Sequence, residues 1–203
     1  MSTLIDIFNG ALALLHEPPI TDTAAVDEAT RLLNGHFPSA RKQCFEAGYW
    51  NFAMTRWELA RSNTEPAWGY RYFYVKPAEC VKIARVVDLP YDDATDIAYN
   101  EERGMIATDS DSVFLRGVSS YYLTRYGDWT EHFAQYVSAE LAALCIKLNT
   151  SSEVINRLDG IRKERSAKAL AYDAMQNPPA LIAQAGSWRR SARRSSRNGQ
   201  AFR

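Results

Sequence analysis

The apolar period of the chain changes twice, and this limits the folds open to it. Up to about residue 65 the apolar positions recur at helical spacing. Across 66–125 they fall in short, aromatic and β-branched runs broken by turn residues. From residue 126 the helical spacing returns. A parallel α/β architecture would alternate strands and helices along its whole length. Strands collected between two helical blocks point instead to an α+β fold, mainly α.

In the first block Leu4, Phe8, Ala11 and Leu15 fall on one helical stripe, with Ile5 and Leu12 beside it. Pro18-Pro19 stops this helix, because proline supplies no donor and restricts the residue before it. Thr21-Asp22-Thr23 offers N-cap oxygens for a second helix with the stripe Val26, Ala29, Leu33, Phe37, Ala40, Cys44 and Ala47. Pro38 either kinks that helix or splits it near Gly35-His36-Phe37, and Gly48 suits its end. The middle block reads as strands at Tyr70–Val75 and 80–87, the latter apolar on both faces, then a hairpin over 97–108. Short strands follow at 113–116 and 120–123. Asp128 and Glu131 have the spacing of a capping box before the stripe Phe133, Val137, Leu141, Leu144 and Leu148. Ser151 or Ser152 caps a last helix carrying Ile155, Leu158, Ile161, Ala169, Tyr172 and Met175, with Asp159 and Lys163 as an exposed i,i+4 pair. Asn177-Pro178-Pro179 ends it. The short connection makes these two helices antiparallel neighbours. The organisation expected is a helical bundle from 1–65 and 126–179, an inserted antiparallel β-unit at 66–125, and a flexible basic C-terminal arm at 180–203.

Charge separates that arm from the rest. The 203 residues have no net charge, yet Arg189, Arg190, Arg193, Arg194, Arg197 and Arg203 crowd into 187–203 without an acid, leaving 1–186 at −6. A basic tail on an acidic body favours an acidic partner: nucleic acid, an acidic protein surface, or another copy of the chain. Cys44, Cys80 and Cys145 are far apart and read as buried thiols in a reducing compartment. No stretch reaches 18 apolar residues, and the opening Met1-Ser2-Thr3-Leu4-Ile5-Asp6 lacks a basic n-region, so neither a membrane helix nor a signal peptide is expected.

Chemistry-bearing motifs are not found. Gly35, Gly48, Gly69 and Gly104 are isolated, so no phosphate-binding loop forms, and neither a nucleophile elbow nor a zinc-binding H-E-x-x-H occurs. His16-Glu17 reads as a polar helix end, and His132 as a surface or packing residue. Asp92, Asp93, Asp96, Asp109 and Asp111 read as turn formers. No catalytic residue, cofactor or metal is expected. The aromatic crowd Tyr49, Trp50, Phe52, Trp57, Trp68, Tyr70, Tyr72, Phe73 and Tyr74 fits either core packing or an interface. Arg56, Arg61, Arg71 and Lys76 interleave with it, but Glu58 and Glu65 dilute a nucleic-acid stacking platform.

The order of these signals resembles the head-to-tail adaptor family of tailed bacteriophages, the group that includes tail tubular protein A of short-tailed phages. The carrying residues are Ala11-Leu12-Ala13-Leu14-Leu15-His16-Glu17-Pro18-Pro19-Ile20, where the family usually has glycine in place of His16. Next come Ala29-Thr30-Arg31-Leu32-Leu33, Gly48-Tyr49-Trp50-Asn51-Phe52-Ala53, and Tyr74-Val75-Lys76-Pro77-Ala78-Glu79-Cys80. Tyr126–Phe133, Ala139-Glu140-Leu141-Ala142 and the terminal Ser187-Trp188-Arg189-Arg190 complete the set. The resemblance implies a structural virion protein at the head-tail junction, assembled in the host cytoplasm as a ring, usually dodecameric, below the portal protein. The ring would extend the channel for genomic DNA and present a platform to the next tail protein, a nozzle, stopper or tail-completion protein. It further implies a portal-binding arm, here Trp188, Arg189, Arg190, Arg193, Arg194 and Arg197. It implies no catalysis and no membrane contact. The alternatives are a nucleic-acid-binding accessory protein acting through the arm, and an enzyme such as a cell-wall hydrolase using Glu17 or another carboxylate.

Overall fold

Helix α1 (Leu4–Leu15) starts where Thr3 and Asp6 cap each other. The Thr3 hydroxyl accepts the Asp6 N–H at 3.2 Å, and the Asp6 carboxylate accepts the Thr3 N–H at 2.9 Å. The Thr3 hydroxyl also donates to that carboxylate at 2.7 Å, and this bond together with the Thr3 N–H holds the Asp6 carboxyl below its ordinary range. The helix ends at His16, whose φ of 59° is left-handed. The Glu17 and His16 amides then donate back to the carbonyls of Leu12 and Ala13. A side chain bearing Cβ costs about 1–2 kcal/mol in that conformation. His16→Gly should therefore raise the unfolding free energy by about 1 kcal/mol, read from a urea midpoint with unchanged slope.

The computed structural model describes residues 2–91 and 94–176. Helix α2 (Glu28–Ala47) begins later than the Thr21–Thr23 segment suggests: Asp27 is its N-cap and accepts the Thr30 N–H at 3.0 Å. Val26, placed on the stripe by sequence, is fully exposed, whereas Leu33, Phe37, Ala40 and Cys44 are buried as their spacing predicts. Pro38 does not split the helix. It lies on the exposed face with Asn34, so water can serve the carbonyl that proline leaves without a donor.

All six strands among the described residues lie between α2 and α3: β1 (Met54–Glu58), β2 (Tyr72–Val75), β3 (Cys80–Val87), β4 (Asn100–Glu102), β5 (Met105–Thr108) and β6 (Phe114–Ser119). They form two antiparallel sheets, ordered β1-β6-β3 and β2-β5-β4. The strands therefore begin at Met54, ahead of residue 66. Ser120–Thr124, expected as a strand, is a 3-10 turn in which the Ser119 hydroxyl accepts the Tyr121 N–H. The expected hairpin is present: Arg103 and Gly104, both with positive φ, make the two-residue turn between β4 and β5. In β3 two register shifts, at Cys80/Lys82 and Ile83/Arg85, replace simple alternation. They turn Cys80, Ile83 and Val86 to one face and Lys82, Arg85 and Val87 to the other, which explains a strand whose sequence reads as apolar on both sides.

Helix α3 (Glu131–Leu144) is capped by Thr130, not Asp128. The Thr130 hydroxyl accepts the Phe133 N–H, while Asp128 belongs to a 3-10 turn pinned by the buried Trp129, whose indole donates to the Tyr122 carbonyl at 2.8 Å. Helix α4 (Ser152–Gln176) runs antiparallel to α3: His132 meets Tyr172, Arg165 donates to the Gln135 carbonyl, and Arg162 pairs with Glu140 at 2.7 Å. Asp159 pairs with Arg162 rather than with Lys163. α3 touches α1, α2 and α4. The larger apolar cluster joins the helices through Phe8, Leu12, Leu33, Phe45, Trp50 and Phe133. A smaller one lies between the sheets around Tyr74, Val86, Ile106 and Leu115. The fold is α+β.

Candidate assembly interface

Helix lengths decide where apolar surface is left over. At 1.5 Å per residue α4 is ~38 Å long and α3 ~21 Å, so α3 leaves the ends of its neighbour uncovered. Leu158 and Ala169 of the expected α4 stripe are buried, and Ile161 is half-buried. Ile155 near one end, and Leu170, Tyr172 and Met175 near the other, are exposed, Met175 by 75%. Sequence spacing places Ile155, Tyr172 and Met175 on one core-facing stripe with Leu158, Ile161 and Ala169. Length exposes the Ile155 end, whereas at the other end helix face decides: Asp173 is buried there, and at 3.6 residues per turn Met175 points away from the side that Asp173 buries.

The C-terminal end of α4 is nevertheless fixed. The Asn51 N–H donates to the Asp173 carboxylate at 2.7 Å. The Asn51 amide donates to the other carboxylate oxygen at 3.0 Å and to the Asp173 carbonyl at 2.7 Å. Asp173 is buried, and burial raises its carboxyl above the ordinary value while the Asn51 N–H opposes the shift. Asp173→Ala strands the Asn51 donors and should cost about 1–3 kcal/mol in urea unfolding. The pH dependence has a definite sign. The folded state holds the Asp173 proton more tightly than the unfolded chain does. This group's contribution to stability therefore falls as pH climbs from about 3.9 through the raised value. Asp173→Asn should remove that fall from the plot of unfolding free energy against pH.

The arm residues Trp188, Arg189, Arg190, Arg193, Arg194 and Arg197 lie outside the described residues, as do Asp92 and Asp93. The described chain ends at Gln176, a few residues past the Asp173–Asn51 contact and next to the exposed Met175.

A second exposed surface stands on the loop between β1 and β2. Trp68 there is 89% exposed, beside Gly69 at φ 90°. At the base of the loop the Arg61 guanidinium stacks on Tyr72, 3.5 Å from the ring centre. The aromatic crowd thus divides: Trp50 and Tyr74 are core, Phe52 packs against the core, and Tyr49 and Trp68 face outward.

The remaining residues singled out by sequence serve local structure. His132 packs on Tyr172, Asp109 accepts the Arg71 N–H at 2.9 Å, and Asp96 pairs with Arg85. Cys44, Cys80 and Cys145 are free and buried, and burial pushes every thiol up, Cys145 to about 11, so none is a thiolate nucleophile at neutral pH. Among the described residues no group of three His, Cys, Asp or Glu could hold a metal ion. Sequence reading did not find a row formed by Arg56, Arg116 and Arg85, which only strand register brings together. Neither a scan against protein-family models nor a search of curated proteins returns a match to this chain.

Proposed function

We propose that this chain is a structural virion protein of the head-to-tail adaptor type. Its copies form a ring, dodecameric in the family it resembles, below the portal protein, where they extend the DNA channel and carry the next tail component. The observation that carries this reading is His16. The adaptor pattern has glycine before its Glu-x-Pro, matched here by Glu17-Pro18-Pro19, and His16 holds the left-handed conformation that favours glycine. The resemblance therefore coincides with a backbone requirement and not only with a string of letters. The arrangement of all six described strands between α2 and α3 also agrees with a helical bundle bearing an inserted β-unit.

A closed ring needs two different, complementary faces on each subunit. The exposed ends of α4 and the Trp68 loop are apolar surfaces on separate elements and suit that need. Beyond Gln176 the arm carries Trp188 and its arginines toward the portal. Guanidinium forks pair bidentately with carboxylates, and one tryptophan fills an apolar pocket. In this role the protein needs no catalysis, cofactor or membrane, and it acts within the virion after assembly in the host cytoplasm.

The test is attachment to purified portals, scored by electron microscopy. The full chain should add a closed ring of matching symmetry, and a chain truncated before Ser187 should remain folded but fail to attach. A single copy per portal, or equal attachment of the truncated chain, overturns the reading. Trp188→Ala should weaken attachment by about 2 kcal/mol or more. The rival, nucleic-acid binding through the arm, is favoured by its six arginines. It would show log K falling with log salt at a slope of roughly −4 to −5, whereas docking led by Trp188 is far less salt-sensitive.

A further inference from the structure

Strand register puts three arginines in one line. Arg56 on β1 and Arg85 on β3 both stand directly opposite Arg116 on β6, so all three side chains leave the same face of the sheet. Like charges placed opposite each other across strands destabilise a sheet. Two of the three are engaged: Arg85 with the Asp96 carboxylate and the Ala94 carbonyl, and Arg56 with a partner of its own. The central Arg116 is different. It is half-buried, and among the described residues its side chain has no hydrogen bond or ion pair, its backbone alone being paired with β1 and β3. A half-buried cation whose cross-strand neighbours on both sides are also cations is an arrangement that an added anion relieves.

Arg116 lines a cleft of about 150 Å³. Its other walls include Phe114 of β6 and the Leu89–Tyr91 segment, in which Leu89 is half exposed and Tyr91 64% exposed. Arg56, Glu58 and Arg85 line it as well, so it is a partly open cleft of mixed character with room for about one benzene-sized group beside its charged wall. The cleft therefore offers one guanidinium fork beside room for one aromatic side chain.

We propose that this cleft docks an acidic peptide segment of another protein, with a carboxylate on Arg116 and an adjacent aromatic side chain between Phe114, Leu89 and Tyr91. Arginine and tyrosine beside an apolar pocket are the composition of an interface hot spot. A nucleic-acid backbone fits less well. It would need a run of open cations along a track, whereas this row crosses only three strands and Arg56 and Arg85 in it are already engaged. The proposal goes beyond the adaptor reading and stands without it, because it concerns the isolated chain.

The experiment uses the full chain and fluorescence anisotropy, with a fluoresceinylated Asp-Glu-Phe-Glu-Asp peptide as probe. Arg116→Gln should weaken binding at least about tenfold while its melting temperature stays at or above that of the unchanged protein, since a like-charge repulsion is removed. Tyr91→Ala, at an exposed position, should also weaken binding and guards against a folding artefact. Lys168→Gln, at an exposed position of α4 that does not line the cleft, should change nothing. An Asn-Gln-Phe-Gln-Asn peptide should not bind, and replacing the probe's Phe by Ala should reduce affinity. Equal binding by Arg116→Gln, equal binding of the neutral peptide, or no binding of the acidic probe overturns the proposal. Tighter binding of oligo-dT, abolished by Arg116→Gln, assigns the cleft to nucleic acid and overturns it as well.

Discussion

Trp50→Ala destabilises the protein by about 3–5 kcal/mol, the range for emptying a large aromatic site in a core. Trp50 is 1% exposed, and its ring centre lies 4.7 Å from that of Phe133 in an edge-on contact. It also touches Phe52 and Tyr136, so its removal opens the aromatic cluster on several sides. A polar loss adds to the cavity. The indole N–H donates to the Cys44 carbonyl at 2.9 Å. Cys44 is in the last turn of α2, where carbonyls have no partner within the helix, so Trp50 serves as a C-terminal cap from outside it. Trp50→Phe keeps most of the ring but loses this bond and should fall between the two proteins. Urea unfolding measures both variants. A Trp50→Ala midpoint within about 1 kcal/mol of the unchanged protein would show that the site collapses to fill itself.

Gly117→Ala loosens the larger sheet. A Cβ on Gly117 would lie 2.6 Å from the Lys82 carbonyl oxygen and 3.0 Å from the Cys80 sulfur. Lys82 stands at one of the two register shifts in β3, so its carbonyl is fixed backbone that cannot swing aside as a side-chain tip would. Relief requires β3 to move away from β6. The cost should be about 1–3 kcal/mol, as for other overpacked cores. Hydrogen exchange gives the sharper readout: amides of Cys80–Val87 should lose protection while those of α3 keep theirs. Unchanged protection along β3 would mean that the strand absorbs the methyl group, contrary to this expectation.

Much of the fold is legible in the sequence where local rules decide. α1, the buried stripe of α2, the β4–β5 turn and the antiparallel α3–α4 pair follow from spacing, proline and positive-φ turn positions. Errors arise where a distant partner decides. Asp128 has good capping chemistry, yet Trp129 reaches back to the Tyr122 carbonyl and commits Asp128 to a preceding turn, leaving the cap to Thr130. Met54–Glu58 follows directly on a helical block and reads as part of it. It becomes a strand because β6, some sixty residues later, supplies its hydrogen bonds. For the same reason the arginine row is invisible along the chain: Arg56, Arg85 and Arg116 are neighbours only through register. The basic segment at 187–203, in contrast, lies outside the described residues and is legible only as composition, from its arginines and the lone Trp188.

β6 has one further consequence. It is the middle strand of its sheet; Val118 belongs to the helical interior, while Leu115 belongs to the interior between the sheets. The strand is thus a party wall between two rooms. Sliding it by one residue would exchange every occupant: Val118 would enter the wrong room and Arg116 would be driven into the greasy space that Leu115 now fills. Neither room can be rearranged while the other stands still. A pull on the β-unit from outside must therefore either move the helices with it or break both interiors together, and the strands cannot act as a free hinge on the helical body.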